Sequence, residues 1–115
     1  MELQQKPAVD QSLIANVTKM DTLIDYQTAS IVSRTIVKKP TGTVTVFAFD
    51  KEEFLSEHTA PFDAIINILD GDAVVSIGGV DHALKTGEMV IMPANIPHAV
   101  KAVEKMKMLL IMIKD

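Results

Sequence analysis

The stretch Met89-Val90-Ile91-Met92-Pro93-Ala94-Asn95-Ile96-Pro97-His98-Ala99-Val100-Lys101-Ala102-Val103 decides the fold. Its first four residues have the length and composition of a short buried strand. Pro93 and Pro97 then fix φ on both sides of Ala94-Asn95-Ile96, so this segment reads as a stiff loop. Beyond it, His98, Val100 and Ala102 alternate with Ala99, Lys101 and Val103, which is the period of a strand. A lysine is rarely buried without a partner, so Lys101 marks the wet face and His98 points inward. Strand, rigid loop and strand with an inward imidazole is the signature of an all-β sandwich or barrel.

The same rhythm extends in both directions. From Ile31 onward, runs rich in Val, Ile, Thr and Phe are broken by turn residues roughly every eight to twelve positions, and none keeps helical spacing over three turns. The expected strands are 31–38, 43–49, 54–59, 64–69, 73–77, 82–84, 89–92, 98–103 and 105–113. Lys39-Pro40, Asp70-Gly71 and Gly78-Gly79 punctuate them, the last two as tight hairpins with positive φ. The final run, Lys105 to Ile113, starts in alternation and then becomes apolar on both faces. Such a strand is either central or covered by another chain, and the second option implies a homodimer joined through an apolar outer face. Before Ile31 the pattern is weaker. Ser12 to Met20 reads as a short capped helical turn and Thr22 to Tyr26 as an extra strand, while the first ten residues form a mobile arm or order against a partner.

Composition narrows the chemistry. The 115 residues suit one domain, with 48% hydrophobic and 23% charged side chains, as in ordinary globular proteins. There is no cysteine, so any metal site depends on nitrogen and oxygen ligands. A formal net charge of -4 and a shortage of aromatic residues oppose a nucleic-acid or anionic membrane surface. Met1 to Asp10 lacks the apolar core of a secretory leader, and a soluble cytoplasmic location is the expectation. The methionines read as flexible core filling rather than as copper ligands.

Around the first histidine, strand parity puts Phe54, Ser56, His58 and Ala60 on one face and Leu55, Glu57 and Thr59 on the other. With Glu57 wet, His58 looks inward, and Ser56 and Ala60 leave space around its ring. One inward histidine is more often a core residue bonded to backbone or water; two at matching depth outline a shared hollow with a polar focus and apolar walls. His82, beside Asp81 just after the Gly78-Gly79 turn, has no small-residue surround and reads as a strand-end residue, with joining the site the lesser alternative.

The segments Ser56-Glu57-His58-Thr59-Ala60-Pro61-Phe62-Asp63-Ala64, Gly71, and Gly87 through Pro93 to Pro97-His98-Ala99 resemble the two cupin motifs. The resemblance implies a double-stranded β-helix, a jelly-roll barrel over residues 26–115 behind an N-terminal arm at 1–25. His58, Gly71, Gly87, Pro93 and His98 fit the motif spacing. Four positions depart from it: Glu52 and Asn95 replace glycines, Ala60 a histidine and Ala64 a glutamate. Half of the family's three-histidine, one-glutamate ligand set is therefore missing. Of that set, the resemblance carries over His58 and His98. Asp63 is the nearest substitute carboxylate, provided a bulge turns it inward.

Imidazole ligands favour zinc, nickel or copper, and iron only if Asp63 completes a two-histidine, one-carboxylate face. The expected function is a binding module for a small molecule, a divalent metal or both, centred on His58, His98, Ser56 and Ala60. The alternative is a metal-dependent or acid-base enzyme, similar to the cupin isomerases, epimerases and dioxygenases. For that reading the only tyrosine, Tyr26, is the available acid.

Overall fold

A computed structural model describes residues 7–114. Nine strands follow in chain order: β1 Ile31–Lys39, β2 Gly42–Phe49, β3 Phe54–His58, β4 Asp63–Asp70, β5 Asp72–Ile77, β6 Val80–Lys85, β7 Met89–Met92, β8 His98–Ala102 and β9 Met106–Ile113. They form two antiparallel sheets, one ordered β1-β2-β9-β4-β7 and the other β3-β8-β5-β6. No helix among the described residues is long and apolar enough to cross a membrane.

Side chains of the two inner faces build the core. Phe49, Ile66, Ile68, Met106 and Met108 from the larger sheet meet Ala73, Val75, Val100 and Ala102 from the smaller, all nearly or fully buried. Alternation along each strand produces this, as in β8, where His98, Val100 and Ala102 are buried and Lys101 is exposed. The two-sided apolar character of β9 arises because that strand is central, paired with β2 on one side and β4 on the other.

Gly78-Gly79 closes a hairpin between β5 and β6, with Ile77 opposite Val80 and both glycine φ angles positive. Asp70-Gly71 does not make the expected hairpin. β4 and β5 lie in different sheets, and Gly71, at φ 78°, is the corner at which the chain crosses between them. A Cβ on Gly71 would lie 2.0 Å from the Lys105 carbonyl oxygen, so the corner has no room for a side chain.

The amino-terminal segment differs from the sequence reading. Two 3-10 turns, Gln11–Leu13 and Met20–Thr22, replace the longer turn, and Thr22 to Tyr26 joins no strand ladder. Residues 8–10 are held on the sheet edge. Val9 bridges Val37, Asp10 N–H donates to the Ile36 carbonyl, and Arg34 forms a 2.8 Å ion pair with Asp10. The arm expected over the first ten residues thus falls partly on residues 1–6, which lie outside the described residues. Further on, Ile24 covers Val46 and Ala48 on the outer face of the large sheet. The Tyr26 hydroxyl donates to Asp70 at 2.5 Å, and its ring lies beneath the Lys107 ammonium, 4.9 Å from the ring centre. Burial and the neighbouring Asp70 carboxylate push the Tyr26 pKa up.

Both positions at which a motif glycine is replaced keep the left-handed backbone here, Glu52 at φ 68° and Asn95 at φ 64°. Asparagine tolerates that region through its short polar side chain, whereas for glutamate it costs on the order of 1 kcal/mol. Glu52→Gly is therefore expected to stabilise the protein by about 1 kcal/mol, raising the thermal midpoint by several degrees. Gly71→Ala, which adds both strain and a backbone clash, is expected to cost on the order of 3 kcal/mol in denaturant unfolding.

Candidate functional site

His58 ends β3 and His98 begins β8, and the two residues are directly opposed in the sheet. What brings them together is a β-bulge. Leu55 pairs with Val100 and His58 with His98, so two residues of β3, Ser56 and Glu57, stand opposite one of β8, Ala99. The extra residue resets the parity of β3. Leu55, half-buried, and His58, exposed at the cavity mouth, both turn toward the cavity, and Phe54 turns outward, 59% exposed. The sequence reading therefore placed His58 inward on a parity that the strand does not keep. Ser56 is corrected with it: it lines a groove on the outer face of the small sheet, with Phe54, Glu57 and Lys101. Only its backbone serves the histidine, through the carbonyl that accepts from His58 Nδ1 at 2.8 Å.

Inside, a cavity of about 180 Å3 is lined by His58, His98, Leu55, Ala60, Met92 and Met112, with Phe62, Ala64, Ile66, Val100, Met108 and Leu110 behind them. Ala60 thus stands where expected. Ala64, the former glutamate position, is 3% exposed and contributes only a methyl group. Asp63 is not turned in: its Oδ1 accepts the Ala94 N–H at 2.8 Å and holds the loop between Pro93 and Pro97. His82 is exposed on edge strand β6 and Tyr26 sits on the outer face of the large sheet, so neither joins the cavity. The sequence reading missed Leu55, hidden by the bulge, and the methionines, which it took as packing alone.

The tautomers follow from the hydrogen bonds. A carbonyl oxygen only accepts, so His58 Nδ1 carries the proton it donates to Ser56, and His98 Nδ1 carries the one it donates to Ile96 at 3.2 Å. Each neutral ring is then left with an unprotonated Nε2. These two nitrogens face each other at 3.2 Å, with the rings edge to face and their centres 4.4 Å apart. Two lone pairs at that distance repel unless a cation, either a proton or a metal ion, lies between them.

Two nitrogens on one tetrahedral ion, at the usual 2.0–2.1 Å bond length, are about 3.3 Å apart, and both rings are held by backbone carbonyls as metal-bound imidazoles usually are. The pair fits one ion. The four-ligand set does not, since no group of three or more His, Asp or Glu side chains able to hold a metal occurs among the described residues.

A double-walled β-barrel with paired imidazoles at its mouth is the architecture of cupins, and the cupin domain profile matches residues 45–114. The chain belongs to that family. Its fold is shared, with a TM-score of 0.90 and 31% identity over 97% of this chain and 98% of the other, by a conserved protein of unknown function from Streptococcus pyogenes. A cupin 2 conserved barrel domain protein from Leptotrichia buccalis is 42% identical, with a TM-score of 0.80, over 83% of this chain but only 46% of its own. A cupin superfamily protein from Desulfitobacterium hafniense, 22% identical over 97% of this chain and 100% of its own, has the same fold at a TM-score of 0.85. No curated protein matches the chain.

His98 is 5% exposed, and its pKa is lowered. Burial penalises the charged ring; the Ile96 carbonyl partly offsets this, and charge on His58 lowers it further. The unfolded chain takes up this proton near pH 6.5 and the native state only below that, so stability falls as the pH drops between the two values. Above about pH 6.5 the contribution is complete. Urea unfolding from pH 8 to 5 is expected to show a loss of stability below pH 6.5 that His98→Gln reduces. A gain on acidification would contradict the assignment.

Proposed function

We propose that this cupin is a binding module that holds one transition-metal ion between His58 and His98, with a small ligand reaching the ion from the barrel mouth. The observation that carries the reading is the opposed pair of Nε2 lone pairs, each fixed by a backbone carbonyl on the far side of its ring. An ion between them replaces repulsion with two bonds, without moving either strand. The remaining coordination positions fall to water or an exogenous donor, because Ala60 and Ala64 supply none. Divalent ions are accordingly held weakly and exchangeably. Iron is disfavoured, since Asp63 is committed to the Ala94 N–H. The cavity is smaller than the roughly 300–1,000 Å3 of most organic-ligand sites, which limits a co-ligand to a few heavy atoms. A binding role is favoured over the enzyme alternative because no acid or carboxylate among the described residues lines the cavity beside the imidazoles.

The partner in this reading is a second copy of the chain. On the outer face of the large sheet, Val44, Ile111, Ile65 and Ile91 form one cross-strand row, flanked by Ile113 and Met89. Ile91, Ile113 and Met89 are about half exposed, at 54%, 58% and 49%. The amino-terminal segment covers only the neighbouring part of this face. A hydrocarbon row with polar side chains only at its ends, Asp63 beside Ile113 and Asn67 beside Met89, suits packing on its own symmetry copy, sheet against sheet.

Two measurements test this. In equilibrium dialysis against Zn(II), the wild-type protein is expected to bind one equivalent, and His58→Ala with His98→Ala to weaken binding at least 100-fold while the circular dichroism stays native. Unchanged binding in the double variant defeats the reading. In sedimentation velocity, the wild type is expected to run as a dimer and Ile91→Lys with Ile111→Lys as a monomer; a wild-type monomer refutes the partner.

A further inference from the structure

The position that lost its carboxylate has sulfur on both sides. Ala64 in β4 is the cross-strand partner of Met92 in β7 and of Met112 in β9, so the three form one row pointing into the cavity. Both methionine side chains line it together with the two imidazoles, and Met108 stands on the same wall. Met92 is 3% exposed and Met108 fully buried. Resting on the His58–His98 reading above, we propose that this site selects a soft monovalent ion, Cu(I) in a cell, bound by both Nε2 atoms and by thioether sulfur from Met92 or Met112.

Three physical features favour it. The cost of removing an ion from water grows with the square of its charge, so a monovalent ion pays about a quarter of what a divalent ion of similar size pays. A cavity without an anionic ligand can therefore hold the former far more readily. Thioether and imidazole are ligands that Cu(I) accepts and that hard divalent ions do not both accept, thioether being the selective one. Cu(I) is also satisfied by three or four ligands and needs no water, whereas an octahedral ion on two imidazoles depends on several waters, for which the hydrocarbon walls offer no hydrogen-bond partners. Methionine is unbranched and flexible, so its sulfur reaches a bound ion by rotation about its own bonds, with the strands in place.

The test is an anaerobic competition, in which Cu(I) is supplied with a coloured Cu(I) chelator and protein is titrated in. Wild-type protein is expected to withdraw one equivalent of Cu(I). Met92→Leu with Met112→Leu, which conserves volume and shape, is expected to weaken Cu(I) binding at least tenfold while Zn(II) binding changes less than twofold. Met20→Leu, an exposed control away from the cavity, is expected to change neither. X-ray absorption of the wild-type Cu(I) complex supplies a readout independent of the variants' folding, and is expected to show a copper–sulfur shell as well as imidazole scattering.

If the double methionine variant binds Cu(I) as the wild type does, or the spectrum shows nitrogen alone, the thioether proposal is overturned and the histidine pair stands. If His58→Ala with His98→Ala leaves both metals bound, the histidine site itself fails, and this proposal with it.

Discussion

Everything distinctive in this barrel depends on one bulge in β3. Opposite the three residues of β8 from Val100 to His98, β3 runs through the four from Leu55 to His58. Without the additional residue, His58 would share the outward face of Phe54 and Ser56 and its ring would lie in solvent. With it, the ring turns across the ladder onto its partner and the two Nε2 atoms come to 3.2 Å. The backbone that makes the bulge also fixes the tautomer, since the Ser56 carbonyl takes the Nδ1 proton of His58. On the other strand, the turn between Pro93 and Pro97 does the same through Ile96. Geometry and protonation state are thus set by the same few peptide groups, before any ligand arrives.

The rest of the fold serves that placement. β8 is held between β3 and β5, so His98 is positioned by ladders on both sides. Asp63, close in sequence to the cavity, braces the loop that delivers His98 by capping the Ala94 N–H. Asn95, in the left-handed region that asparagine tolerates, donates its own N–H to the Ala60 carbonyl at 2.7 Å. The loop after β7 and the segment after β3 are in this way tied to one another at the rim of the cavity. Ala60 and Ala64 offer no ligand, and the loops that frame the cavity are joined by hydrogen bonds that do not involve their side chains.

Much of this was legible in the residues. The strand at 89–92, the stiff 93–97 loop and the inward direction of His98 follow from proline chemistry and from the wetness of Lys101, and the structure keeps all three. The correspondence of Gly71, Gly87 and Pro93 with the cupin motifs pointed to the jelly-roll. The direction of His58 was read from a two-residue period, and the period breaks at Ser56-Glu57. Nothing in those residue types announces a bulge, so Leu55 and Ser56 exchanged faces between expectation and structure. Asp70-Gly71 looked like a hairpin because positive φ marks any sharp reversal; whether the chain returns to the same sheet or crosses to the other is decided by distant pairing. Met92 and Met112 are separated by twenty positions in the chain and become neighbours of Ala64 only through the registers of β7 and β9, which no local pattern contains.

The central claim is that both rings present bare Nε2 atoms to each other. It is tested most directly by long-range proton–nitrogen correlation NMR on the metal-free, nitrogen-15-labelled protein at pH 7.5, with His82 resolved by substitution. The account expects the ring-proton pattern of the Nδ1–H tautomer for both His58 and His98, with both Nε2 signals moving when one equivalent of metal is added. A proton resident on Nε2 of either ring, or metal addition that shifts neither, would contradict it.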